Sequence, residues 1–193
     1  MSNDRKSSKT LNLITSPLLA GAIAVMALSA VNAQAAIFLK LDGVPGESTS
    51  SGHKDEIDVV SFQFGLNADN TLSPSGGATR DSSPTCEGVV ITKALDKSSP
   101  VLAGAVMTGK TMKKGTFTFT RNDGESDAIF YSVIMTDVLV TSVAQSGRGN
   151  ELPHESVSFI ARQIELKYRS QSADGKLGPE VRATLDCSRG ARS

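Results

Sequence analysis

Tryptophan is absent from this 193-residue chain, and aromatic residues make up only 5% of it. Two cysteines and two histidines are too few for a Cys-rich zinc site or a small disulfide framework. An excess of either charge is missing too, because 20 Lys and Arg balance 20 Asp and Glu. With no basic surplus to displace counterions from phosphates, nucleic acid is not an expected partner. No G-x-S-x-G elbow or other nucleophile signature occurs. The length that remains suits one ordinary domain with a real hydrophobic core.

The first 35 residues differ from the rest. Arg5, Lys6 and Lys9 precede an apolar stretch from Leu18 to Val31, and Ala33-Gln34-Ala35 follows. A basic start, a short apolar centre and an Ala-x-Ala exit are the three parts of a secretory signal peptide. A buried core helix and an uncleaved membrane anchor are the rival readings. The run from Leu11 to Val31 is long enough to span, since about 20 residues are needed. However, Asn12, Thr15, Ser16 and Pro17 interrupt its start, which suits cleavage better. The expected cut lies between Ala35 and Ala36, leaving a single domain over 36–193 with no stable membrane association. That mature chain has 158 residues, of which 17 are basic and 19 acidic, for a net charge of −2. Export would permit a disulfide between Cys86 and Cys187. Whether they pair depends on a Cα separation that the fold must set.

After the leader the dominant hydrophobic period is two. Val60, Phe62, Phe64 and Leu66 alternate with polar residues or glycine and predict a half-buried strand. Thr116 to Thr120 repeats the alternation with β-formers on both faces. Asn122-Asp123-Gly124 predicts a hairpin turn into a long strand, Ala128 to Val143, with a bend at Asp137. Ser156 to Tyr168 is a further long strand; its apolar positions switch parity between Phe159 and Ile164, which predicts a bulge there. Shorter strands are expected over Ile37 to Leu41, Glu87 to Leu95 and Glu180 to Cys187. One segment is helical in pattern: Ser98-Ser99 as N-cap followed by Pro100 at the first helical position, an apolar stripe of Val101, Leu102, Ala105 and Val106, and Gly109 as a left-handed C-cap. The expected fold class is all-β, a β-barrel or two-sheet sandwich with one short flanking α-helix. Asn67 to Pro84 is the longest irregular stretch, at 18 residues, and loops of that length are usually functional or disordered.

Three motifs suggest chemistry, and each has a simpler reading. Gly104 to Thr111 matches the phosphate-loop pattern G-x-x-x-x-G-K-T, but a helix precedes it and a strand follows, the reverse of what phosphate cradling requires. A helix C-cap explains it better. His154-Glu155 opens an H-E-x-x-H pattern that Ser158 breaks, and the segment is strand-like. His154 and His53 therefore read as surface polar residues. Asp55, Glu56 and Asp58 form an acidic cluster that reads as a solvated strand edge. A glycosidase would need two opposed carboxylates, one in an apolar pocket. No catalytic residue, metal ligand or cofactor is expected.

The order of segments resembles the Hcp family, the tube-forming proteins of the type VI secretion system. The likeness runs from Ala36 to about Ser188. It is carried by Ile37 to Val44 with Gly46-Glu47-Ser48, His53 to Val59, Ile91-Thr92-Lys93 with Asp96 to Pro100, Thr108-Gly109-Lys110, Val138 to Val143, Glu155 to Phe159 and Ala173-Asp174-Gly175. The resemblance implies a two-sheet barrel with one flanking helix and a non-enzymatic role. It also implies a homohexameric ring that stacks into a hollow tube, with a VgrG-like spike and small effector proteins as partners. By the same resemblance, Asn67, Asp69, Asn70, Gly76, Gly77 and Arg80 belong to a loop that reaches the neighbouring ring.

Two features depart from that family. Its members polymerise in the cytosol and carry no signal peptide, whereas the leader here implies a periplasmic or secreted location. Cytosolic assembly followed by secretion applies if the leader is not functional. The last strand reads Arg182-Ala183-Thr184-Leu185-Asp186-Cys187 where the family places a Gly-Trp pair before the aspartate. Three functions therefore compete: a self-assembling tube subunit, an exported Hcp-like binding module acting as a monomer or small oligomer, and a secreted hydrolase built on the acidic cluster near His53.

Overall fold

The computed structural model describes residues 35–68, 70–72, 78–80, 84–122, 127–172 and 176–188. The expected leader, the turn residues Asp123 and Gly124, the loop residues Asp69, Gly76 and Gly77, and the segment Ala173-Asp174-Gly175 lie outside them.

Strand formers in alternation make antiparallel sheet almost throughout. The strands are β1 (Ala35–Leu41), β2 (Ile57–Val59), β3 (Ser61–Gln63), β4 (Leu66–Asn67), β5 (Asn70–Leu72), β6 (Ala78–Arg80), β7 (Thr85–Cys86), β8 (Val89–Ala94), β9 (Thr111–Asn122), β10 (Asp127–Ser146), β11 (His154–Gln171) and β12 (Leu177–Asp186). One helix, α1 (Ser99–Thr108), lies between β8 and β9. The main sheet runs β2-β1-β9-β10-β11-β8-β3, with β12 paired to β11 outside that path. Because β2 and β3 are consecutive in the chain, the two ends of this order meet and the sheet closes as a barrel. The expected all-β fold with one helix is the observed one.

Closure explains the first departure from the sequence pattern. Val60 to Leu66 is not one strand. Ile57 and Val59 point into the core from β2 on β1, then the chain turns at Val60 and joins β8 through β3. The Val60 N–H donates to the Thr92 carbonyl at 2.8 Å while its side chain is 66% exposed. Phe62 and Phe64, not Val60 and Leu66, continue the inner face.

The long strands show the second departure. Asp137 sits at φ 52°, so the expected bend is present. Inward residues change parity across it, from Val133 and Met135 to Val138 and Val140. On β11 the change falls between Phe159 and Ile164, where the apolar pattern placed it. The register shift, however, lies between Val140 and Ser142 on β10, so the bulge belongs to β10 and not to β11. At this corner β11 also changes neighbours, pairing with β8 over His154–Phe159 and with β12 from Gln163 onward.

The interior is aromatic despite the low aromatic content. Phe62 packs edge-on against Phe117 and Phe119 with centroids at 4.8 and 5.2 Å, and Phe117 reaches Phe159 at 6.4 Å. Gly115 lets strands close around it: a Cβ there would meet Met135 Cε at 2.9 Å and Leu41 Cδ1 at 3.2 Å. Phe117, fully buried at the centre of this cluster, is the most sensitive core position. Phe117→Ala is expected to destabilise by about 3–5 kcal/mol, measured by chemical denaturation.

Candidate functional site

Helix α1 is docked by charge. Lys93 lies on the inward parity of β8, after Val89 and Ile91, and its ammonium is fully buried. It meets Glu155 Oε1 of β11 at 2.9 Å and Asp96 Oδ1 at 2.8 Å, and it donates to the Ala94 carbonyl at 2.8 Å. Glu155 is equally buried; Ser99 Oγ donates to its Oε1 at 2.8 Å and Gln145 Nε2 to its Oε2 at 3.0 Å. Every donor and acceptor in the cluster is thereby satisfied, as a buried charge requires. The cluster ties β8, β10 and β11 to the first turn of the helix.

This geometry corrects the N-cap reading, and the helix starts at Ser99, one residue before Pro100. Ser98 does not cap α1 with its side chain; Asp96 Oδ1 accepts from the Ser98 N–H at 2.9 Å, and Ser99 Oγ accepts from the Asp96 N–H at 3.1 Å. Glu155 belongs to the interior, while its neighbour His154 is exposed. At the other helix end Gly109 adopts φ 63° as a left-handed cap, and the Lys110 N–H reaches back to the Ala105 carbonyl at 3.3 Å. The phosphate-loop pattern is a helix C-terminus here, where carbonyls and not N–H groups face outward.

His53 is the second correction. It is buried, not a surface residue, with its ring stacked on Phe38 at 4.1 Å and 2° and its Nδ1 2.9 Å from Glu56 Oε2. The expected acidic edge therefore divides. Glu56 pairs inward with His53, Asp58 faces out from β2, and Asp55 meets Lys97 Nζ at 2.9 Å. The hydrogen bond and charge of Lys97 hold the Asp55 carboxyl below its usual range. No pair of opposed carboxylates results, so this cluster does not make the glycosidase arrangement.

Within the stretch from Asn67 to Pro84 the described residues make short strand pairs. β4 pairs with β7 (Leu66 with Cys86, Asn67 with Thr85), and beyond them β5 pairs with β6, placing Asn70 opposite Arg80. The β4–β7 pair is a two-residue stem. Asn67 Nδ2 donates to Glu87 Oε1 at the stem, and the Glu87 N–H donates to the Gly65 carbonyl. At the base of the stem Cys86 and Cys187 form a disulfide, with Cα atoms 5.3 Å apart and a sequence separation of 101. In the chain-entropy model a loop of that size stabilises by about 4–5 kcal/mol. The bridge forms one wall of a cleft of about 350 Å³, which is also lined by Val89, Phe159, Asp137 and Arg162. Arg162 Nε lies 3.3 Å from Asp137 Oδ2 there. Ala35 and Ala36 begin β1, opposite Arg121 and Thr120.

Among the described residues, no three His, Cys, Asp or Glu side chains converge as a metal site would require. The polar clusters above are spent on helix docking, loop anchoring and strand closure. Fold and clusters together define a closed antiparallel β-barrel with an ionically docked helix.

The comparisons carry the identification further. A family model described as "Type VI secretion system effector, Hcp" matches residues 38–168. Protein hcp1 of Pseudomonas aeruginosa is 31% identical over 140 residues, which cover 72% of this chain and 86% of that protein. A solved structure of a type six secretion system protein superposes with a TM-score of 0.73 at 25% identity, covering 80% of this chain and 97% of its own. Hcp1 from Salmonella typhimurium superposes at 0.66 and 22% identity, covering 81% and 97%, and supports the fold. The chain belongs to the Hcp family, and it is an Hcp-like tube subunit of the type VI secretion system.

The buried cluster is the site that sequence reading missed, although the period-two pattern that places Ile91 and Val157 inward also places Lys93 and Glu155 there. Glu155→Ala takes from the buried Lys93 ammonium one of its two carboxylate partners, leaving Asp96, and is expected to cost about 3 kcal/mol, measured by urea denaturation. Lys97→Met is expected to raise the Asp55 pKa toward its ordinary value of 3.8, measured by carboxyl NMR titration. Because that pKa is depressed in the folded chain, the pair contributes above the unfolded pKa and is lost as pH falls through the folded one. High salt is expected to shrink the difference.

Proposed function

We propose that the mature chain, beginning at Ala36, closes into homohexameric rings that stack as a hollow tube. A VgrG-like spike caps the tube and small effector proteins travel in its lumen. The family match over residues 38–168 is the observation that carries this reading. A ring needs heterologous contacts, one face of a subunit on a different face of the next, and closes when the rotation is a whole fraction of a turn. The segment between Asn67 and Pro84, by its place in the family's order of segments, makes contact with a neighbouring ring. The role is mechanical and needs no cofactor, and the family's part in secretion agrees with a chain found outside the cell.

One observation favours a second reading, an exported Hcp-like binding module. The Cys86–Cys187 bridge is a structure of oxidising compartments, and the leader directs the chain to one. A periplasmic subunit would have no access to a cytosolic assembly line, and would act as a monomer or small oligomer. A cut after Ala35 leaves six of the seven residues of β1 in place.

Native mass spectrometry separates the two readings, using protein expressed from its own start codon in a Gram-negative host. Assemblies of six subunits are expected for the tube. A monomer under conditions that preserve weak complexes would instead establish the binding module. The subunit mass is expected to show loss of residues 1–35, and a full-length mass would overturn export by cleavage.

A further inference from the structure

Strand β12 is held differently from every strand around it. It pairs with β11 alone, as an edge, and seven of its ten residues are exposed. Val181 is 67% exposed, and Tyr168, its partner on β11, is 49% exposed. Gly178 and Pro179 weaken its first half, since proline gives the ladder no N–H and glycine no side chain to pack. Only at the far end does β12 reach the interior, through Leu185 and, one residue beyond the strand, Cys187. There the Cys187 N–H donates to the Arg162 carbonyl at 2.8 Å, and its sulfur is bonded to Cys86 at the loop stem. Strands β1, β2, β8, β9, β10 and β11 contribute fully buried residues, such as Leu39, Ile57, Phe117, Val133 and Phe159, and β3, which pairs with β8 alone, seats Phe62 against Phe117 and Phe119 in the interior.

We propose that the Cys86–Cys187 bridge is a redox latch on the terminal strand. Closed, it holds β12 on the sheet; opened by a dithiol reductant, it lets β12 leave while the barrel stays folded. Both cysteines are half-buried on the wall of the cleft, where a small thiolate can reach them. The thiolate attacks one sulfur, breaks the S–S bond and forms a mixed disulfide. The second thiol of the reductant then resolves it. Cys86 and Cys187 end as thiols and the reductant as its cyclic disulfide, so two electrons and two protons pass to the protein.

Two consequences follow from the topology. Loss of β12 bares the edge of β11 from Gln163 to Gln171, a row of unpaired backbone groups of the kind that accepts another strand. It also frees the β4–β7 stem from its covalent anchor. The redox state around the chain thus decides whether the sheet ends in a covered or an open edge. This inference goes beyond the ring reading and stands whether the chain assembles or acts alone.

Hydrogen exchange read by mass spectrometry tests it on the folded, oxidised chain, with and without dithiothreitol and no denaturant, alkylation confirming reduction. Peptides across 177–188 are expected to exchange at least tenfold faster after reduction, a larger rise than in peptides across 133–140 and 157–159. Cys187→Ser is expected to reproduce that pattern without reductant. Unchanged exchange across 177–188 would overturn the latch. Equal acceleration through the whole barrel, or a Cys187→Ser chain that fails to fold, would also overturn it and make the bridge a global staple.

Discussion

Closing one antiparallel sheet on itself is the constraint from which the other features follow. A sheet closes only if its strands bend at corners, and each corner interrupts the alternation of inward and outward side chains. The chain spends three devices on this: the turn at Val60, the left-handed Asp137, and the register shift on β10 before Ser142. Together they let β11 serve two neighbours in succession, β8 and then β12. The cleft beside the bridge lies at that same corner, lined by Asp137 and Arg162.

Closure also explains why the interior tolerates a buried salt bridge. Lys93 and Glu155 come from strands paired in register, Glu155 directly opposite Lys93, so the two charges meet without side-chain rearrangement. Such a pair adds little net stability compared with apolar residues of similar volume, but it penalises any arrangement that separates its partners. Here that penalty fixes α1, because Ser99 and Asp96 complete the same cluster. An element that carries no charged side chain of its own is in this way held in one place on the barrel.

A tube subunit must present the same surfaces every time, and a barrel with fixed corners and an ionically docked helix meets that need. The less constrained parts are the β4–β7 pair and β12, and the chain joins these two by its one disulfide. That bond ties the end of the last strand to the stem of the β4–β7 pair.

Much of the fold was legible because strand periodicity is local. Val133 with Met135, and Phe117 with Phe119, declare their strands through neighbouring residues alone, and Gly109 declares its cap because few other residues accept φ 63°. The acidic cluster, His53 and the pairing of the two cysteines were not legible in the same way. Their environments depend on residues distant in sequence, such as Phe38 beneath His53 and Cys187 beside Cys86. Sequence by itself determined the all-β class, the single helix with its cap, and the family, because these rest on local pattern and on the order of segments. Only the tertiary structure decided which polar residues are buried, where the strands turn and which strand hangs on the bridge, because closure brings together groups that the chain keeps far apart.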